Sequence, residues 1–117
     1  MPAVAFSRVS FDYDSCLQTN AHVQGMAREL VARGFAVYVL TAREDIPYRN
    51  PDLLALTAKL GILPERILYS FTSSKLELVK AHRIGLHYDN DPDEVALINQ
   101  GGFCAVLTDW TTLSPDA

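Results

Sequence analysis

Phe35-Ala36-Val37-Tyr38-Val39-Leu40 is an unbroken apolar run between Gly34 and Thr41-Ala42-Arg43. A strand apolar at every position has both faces buried, as in a parallel sheet covered by helices. Just before it, Val23, Met26, Ala27, Leu30 and Val31 recur at helical spacing. Thr19 or Asn20 can cap that helix, and Gly34 stops it after about Arg33. Upstream, Val4 to Phe11 reads as a strand ending in the turn Asp12-Tyr13-Asp14-Ser15. Downstream, a loop with Pro47 leads to a helix from about Pro51 to Leu60, closed by Gly61. Arg66 to Ser70 is a short strand, and Ser73 or Ser74 caps a helix to about His82. Gly85 leads into the strand Leu86 to Tyr88, which ends at Asp89-Asn90-Asp91. Pro92 or Asp93 starts a helix to about Gln100, and Phe103 to Leu107 is the last strand. The tail from Ser114 is expected to be loose.

Five strands alternating with four helices imply βαβ crossovers. The expected class is α/β: a three-layer, Rossmann-like fold with a five-stranded, mainly parallel sheet and helices on both faces. One domain spans residues 1–117, without linker or repeat.

Composition excludes several classes. The chain is 49% hydrophobic and 21% charged, which is ordinary for a globular domain and unlike a disordered or collagen-like chain. Ten basic residues against fourteen acidic ones give a net charge of −4, with no basic stripe. Broad nucleic-acid coating is thereby disfavoured, while a contact with a nucleic-acid end stays open. Cys16 and Cys104 are too few for a disulfide framework and lack zinc-site spacing. No apolar run approaches the roughly 18 residues of a membrane span, and no signal peptide opens the chain. A reducing, cytoplasmic setting without a membrane partner is expected.

Ligands of open parallel sheets bind beyond the carboxyl ends of the strands. The first strand delivers Asp12 and Asp14 there, the second Thr41 and Arg43, and the fourth Asp89, Asn90 and Asp91. Lys75 opens the helix before that fourth strand. Carboxylates beside Thr, Arg and Lys suit a metal-bound phosphate, because Mg²⁺ takes one or two carboxylates and leaves other positions to water or phosphate.

These motifs resemble the haloacid dehalogenase superfamily of phosphohydrolases, over a stretch from Val9 to Leu107. An apolar strand ending in Asp-x-Asp appears as Val9-Ser10-Phe11-Asp12-Tyr13-Asp14-Ser15-Cys16. An apolar strand ending in Thr appears as Val37-Tyr38-Val39-Leu40-Thr41. A Lys before the fourth strand is matched by Lys75, and an acidic strand end by Leu86-His87-Tyr88-Asp89-Asn90-Asp91.

The resemblance implies a Mg²⁺-dependent phosphomonoester hydrolase. Asp12 would be the nucleophile that forms an aspartyl-phosphate, and Asp14 the general acid and then base. Thr41 and Lys75 would bind the phosphoryl group. Thr41-Ala42-Arg43 resembles the Ser/Thr-x-Arg of polynucleotide-end phosphatases, which makes Arg43 a phosphate contact. The metal would rest on Asp12, the Asp14 carbonyl and a residue of the last motif. Asn90 is the direct ligand by similarity to members acting on phosphoproteins, with Asp89 orienting water and Asp91 as another choice. Ser15 and Cys16 depart from the family's Gly and Thr or Val; Ser15 restricts the turn, and Cys16 is a small packing residue. There is no room for a cap domain, so this looks like a capless member. Its open site would admit a large substrate, such as a nucleotide, nucleic-acid end or phosphoprotein, or take cover from a second copy in a homo-oligomer.

Plainer readings stand beside these. Asp12 and Asp14 can be turn residues. Lys80 rivals Lys75, and Arg43 could pair with Glu44 or Asp45. Asp91, Asp93 and Glu94 could serve only a helix N-terminus. His22, His82 and His87 lack ligand spacing and read as structural or solvated. Tyr13 either stacks on substrate or covers the turn. The alternative function is a non-catalytic module that binds metal and phosphate through the same site. A phosphoacceptor receiver fits less well, because its Lys would follow the last strand.

Overall fold

The computed structural model describes residues 5–108. Strands β1 (Ala5–Asp12), β2 (Ala36–Thr41), β3 (Ile67–Tyr69), β4 (Ile84–Asp89) and β5 (Ala105–Leu107) form one sheet in the order β3-β2-β1-β4-β5. Helices α1 (Ala21–Ala32), α2 (Pro51–Leu60), α3 (Lys75–His82) and α4 (Pro92–Gln100) fill the connections. Every strand pairing is parallel, so the sheet is parallel throughout.

Two apolar clusters explain the layers. Val9, Phe11, Val37 and Val39 pack against Val23 and Ala27 of α1 and Leu53 and Leu60 of α2. Leu40, Ile84 and Ala105 pack against Val79 of α3 and Ile98 of α4. Helices therefore cover both faces of a three-layer, Rossmann-like fold. The run through β2 is unbroken because Val37 and Val39 serve one core and Leu40 the other. Burying each such side chain contributes about 1.5–3 kcal/mol.

The topology then positions the site. From β1 the chain steps outward to β2 and β3, and afterwards lays β4 on the other side of β1. That reversal opens a crevice at the carboxyl ends of β1 and β4, the switch point where ligands of such sheets bind. Ser10 is in register with His87, and Phe11 with Tyr88. Continuing that register brings Asp12 level with Asp89. Alternation along a strand puts Ser10 and Asp12 on one face with His87 and Asp89.

Most element ends follow local chemistry. Asn20 caps α1, its side chain accepting the His22 and Val23 amides at 2.9 and 3.2 Å. Ser74 caps α3 and Asp91 caps α4. Gly61 ends α2 in the left-handed region at φ +84°. The end of α3 differs from expectation. Arg83, at φ 53° and ψ 46°, takes the left-handed position there, and Gly85 lies buried inside β4. The last strand starts at Ala105 instead of Phe103, because the Phe103 amide is spent on the Ile98 carbonyl in the turn closing α4. Val4 and the tail from Ser114 lie outside the described residues.

A left-handed residue with a Cβ costs roughly 1–2 kcal/mol, partly offset by the greater unfolded-state freedom of glycine. Arg83→Gly should therefore raise stability by about 0.5–1 kcal/mol. A urea melt of the variant with an unchanged or lower midpoint would contradict this account of the α3 terminus.

Candidate functional site

Asp12 ends β1 and Asp89 ends β4, both buried. Two carboxylates side by side on adjacent strands repel. Lys75, the first residue of α3, resolves the conflict. Its Nζ donates to Asp12 Oδ1 at 2.5 Å and to Asp89 Oδ2 at 3.0 Å. A cation at a helix N-terminus opposes the helix dipole, and the two carboxylates offset that cost. Lys80 is exposed and sits 3.9 Å from Glu77, so Lys75 is the lysine at the strand ends.

A second layer lies beneath these groups. His87 is fully buried between Ser10 and Asp89. Its Nε2 meets Asp89 Oδ2 at 2.8 Å, and its Nδ1 meets Ser10 Oγ at 2.7 Å. An ionised Asp89 can only accept, so Nε2 carries the proton and Nδ1 accepts from the Ser10 hydroxyl. Burial holds the His87 pKa below its ordinary value, in keeping with a neutral ring. This histidine is structural and not solvated.

Charge in the pocket is unevenly matched. Burial raises the Asp12 pKa to about 7; Lys75 opposes that rise, while the negative charges of Asp89 and Asp14 add to it. Burial alone would also raise Asp89, but the His87 hydrogen bond and Lys75 outweigh it and hold this carboxyl below the usual range. Burial would lower Lys75, yet Asp12 and Asp89 overcome it and keep the ammonium charged. Lys75 and Asp89 thus form the ionised pair, and Asp12 is the group that takes up a proton near neutrality.

Asp14 sits in an irregular turn over Tyr13–Leu17. Ser15 adopts φ 59° and ψ 12°, so the turn keeps a glycine-like conformation despite the side chain. The Asp14 side chain is 46% exposed and is gripped by Arg43, whose Nη2 lies 2.7 Å from Oδ1 and whose Nε is within 3.1–3.2 Å of both oxygens. Thr41 donates its hydroxyl to Asp14 Oδ2 at 3.4 Å and accepts the Arg43 amide at 3.2 Å. The other edge of Arg43 binds Asp52, at 2.9 and 3.0 Å, and Asn50 Oδ1 at 3.3 Å. Arg43 therefore does not pair with Glu44 or Asp45. Its guanidinium lies 4.9 Å from the ring centroid of buried Tyr13, which covers the turn. Hydrogen bonds from Arg43 bring the Asp52 pKa down to about 2.

The structure thus gathers the expected residues into two adjoining groups. Asp12, Lys75 and Asp89 form one, and Asp14, Thr41 and Arg43 the other. Asn90, next to Asp89, is half-buried and makes no side-chain hydrogen bond among the described residues. Asp91 is occupied as the α4 cap, accepting the Asp93 amide at 2.9 Å. Cys16 packs beside Thr108 at 3.2 Å, and burial pushes its thiol up to about 11, in keeping with a packing residue. Sequence reasoning missed Asp52, Ser10 and the site role of His87. Polar residues in register on otherwise buried strands could have exposed the Ser10–His87 pair, whereas no motif marks Asp52.

The donor set suits a hard cation only in part. Asp12 Oδ2 and the Asn90 amide oxygen are uncommitted among the described residues, and Glu94 Oε2 is buried without a partner. Both Asp89 oxygens are engaged, Oδ1 by the Asp91 amide and Oδ2 by Lys75 and His87, so a cation could reach this carboxylate only through the remaining lone pair of Oδ1. Among the described residues, no three His, Cys, Asp or Glu side chains gather to hold a metal ion. Mg²⁺ would have to draw most of its ligands from main chain, water or a bound phosphate.

Comparison of the chain with protein-family models, curated proteins and solved structures finds no match. Among the described residues, no helix is long and apolar enough to cross a membrane.

Because the Asp12 pKa rises from an ordinary 3.8 to about 7 on folding, its neutral form supports the fold. That contribution is complete below pH 3.8 and lost as pH rises through about 7. Asp12→Asn keeps the group neutral, so in metal-free buffer its urea midpoint should exceed that of wild type at pH 8, with the gap closing toward pH 5. Parallel pH profiles for the two proteins would show that Asp12 does not titrate in this range.

Proposed function

We propose that the protein is a Mg²⁺-dependent phosphomonoester hydrolase of the haloacid dehalogenase type. The observation that supports this reading is the placement of Asp12. It stands at the β1–β4 switch point with one oxygen on Lys75 and the other uncommitted among the described residues. In its ionised form, Asp12 Oδ2 attacks phosphorus while the bond from phosphorus to the leaving oxygen breaks. Asp14, which must enter this step in its protonated form, gives that oxygen its proton and is left as the carboxylate that Arg43 binds. Water then attacks the aspartyl-phosphate and passes a proton to Asp14, releasing inorganic phosphate and restoring Asp12.

Lys75 keeps positive charge beside the nucleophile throughout. Thr41, once its hydroxyl turns from Asp14, is suited to bond a phosphoryl oxygen. Mg²⁺, when bound, would neutralise phosphate charge and be held by Asp12, the Asp14 carbonyl and Asn90; Asp89 acts by fixing Lys75.

Only Tyr13–Asn20 separate β1 from α1, which leaves the site without a cap from that connection. An uncovered site fits a large phosphorylated substrate, such as a nucleotide, nucleic-acid end or phosphoprotein, or cover from a second copy of the chain. Two free cysteines suit a reducing cytoplasm. The engagement of both Asp89 oxygens by protein donors favours the second reading, a module that binds metal and phosphate without turnover.

Phosphate release from an aryl phosphate, with and without Mg²⁺, tests the choice. Wild type should release phosphate only with the metal, and Asp12→Asn should fall at least 10²-fold, on the order of the effect of losing a core catalytic group. Metal-dependent phosphate binding without release would favour the binding module, and undiminished turnover by Asp12→Asn would remove Asp12 as nucleophile.

A further inference from the structure

Asp52 lies in the first turn of α2, outside every motif that marks the site, yet four side-chain donors converge on it. The Tyr13 hydroxyl donates to Oδ2 at 3.1 Å and Gln18 Nε2 at 3.4 Å. Arg43 supplies the other two, Nη1 to Oδ1 and Nη2 to Oδ2. Tyr13 immediately precedes Asp14. Gln18 in turn accepts the amide of Ser15, the residue just after Asp14, at 3.3 Å. Both backbone neighbours of Asp14 are therefore tied to one carboxylate, and its side chain is tied to the same carboxylate through Arg43.

The donor count of Arg43 sharpens the point. A guanidinium has five N–H groups. Here Nε and one Nη2 hydrogen go to Asp14, one Nη1 hydrogen to Asn50, and the remaining two to Asp52. Arg43 behaves as a strut between Asp14 and α2, with Tyr13 beneath it. A strut is needed, because the turn it braces contains the left-handed Ser15, a conformation that must be held by its surroundings. The helix N-terminus in turn favours a negative charge at position 52.

We propose that Asp52 is a positioning residue that holds the Asp14 carboxylate over the leaving-group oxygen, acting through Arg43, Tyr13 and Gln18. The assignment rests on the hydrolase reading above. It makes Arg43 primarily a support for Asp14 and only secondarily a phosphate ligand. Proton delivery matters most when the leaving oxygen is strongly basic, so the loss of position should depend on the leaving group.

The test compares wild type with Asp52→Ala and Asp52→Asn on an aryl phosphate with a weakly basic leaving group and on an alkyl phosphate. Asp52→Ala should lose about 10²-fold in kcat on the alkyl ester and less than about threefold on the aryl ester, with KM little changed. Asp52→Asn, which keeps one acceptor oxygen, should fall between. Equal losses on both esters would overturn the proposal, since a merely structural defect removes active enzyme without regard to the leaving group. A second measurement, which needs no turnover, decides the matter if wild type hydrolyses neither ester, a result that counts against the hydrolase reading and not against the anchoring of Asp14. Backbone NMR order parameters of Asp14 and Ser15 should drop from the rigid range near ~0.85 toward ~0.6 in Asp52→Ala, while those of β4 stay fixed. Unchanged values at Asp14 and Ser15 would overturn the anchoring role.

Discussion

Two carboxylates forced into lateral contact at the ends of neighbouring strands are the constraint around which this molecule is arranged. Parallel register makes the contact unavoidable: with Ser10 level with His87, Asp12 must fall level with Asp89. The chain answers with one buried ammonium, delivered by the first residue of α3. Breaking such a buried pair by removing one partner typically costs about 3–5 kcal/mol, so the placement of α3 is electrostatic as well as apolar. Beneath it, the neutral His87 and the Ser10 hydroxyl occupy the same face, and Asp89 takes donors on both of its oxygens.

The division of labour between the carboxylates follows from their surroundings. Asp89, with every oxygen engaged, is a fixture. Asp12 has one oxygen engaged and is buried, so it is the group whose charge can change. Asp14, nearly half exposed, leans on Arg43 and through it on α2. Three acidic side chains within a short compass thus have three electrostatic characters, set by burial and by the number of donors facing each.

Much of this was legible in the residues. The apolar run through β2 announces a doubly buried strand, and Asp-x-Asp, Thr and Asp-Asn-Asp at strand ends lie where a parallel sheet assembles a site. What stayed hidden has two physical sources. One is backbone freedom: Gly85 looked like the break before β4, but Arg83 makes the left-handed turn, and nothing in an arginine advertises that conformation. The other is side-chain reach. Asp52 belongs to the site only because α2 begins beside the β1 turn, a tertiary fact with no short-range signature. His87 lacked ligand spacing along the chain because its partners lie on another strand and at its own strand's end.

The outermost strands, Ile67–Tyr69 and Ala105–Leu107, span three residues each, against eight in the central β1. Among the described residues, the sheet therefore tapers to borders with too few free backbone groups to template a neighbour. Short borders of this kind discourage growth of a sheet from one molecule into the next. Recruitment of a second chain would then fall to side-chain surfaces, and crowded solutions of this protein would be guarded against runaway strand stacking by geometry that has no part in its chemistry.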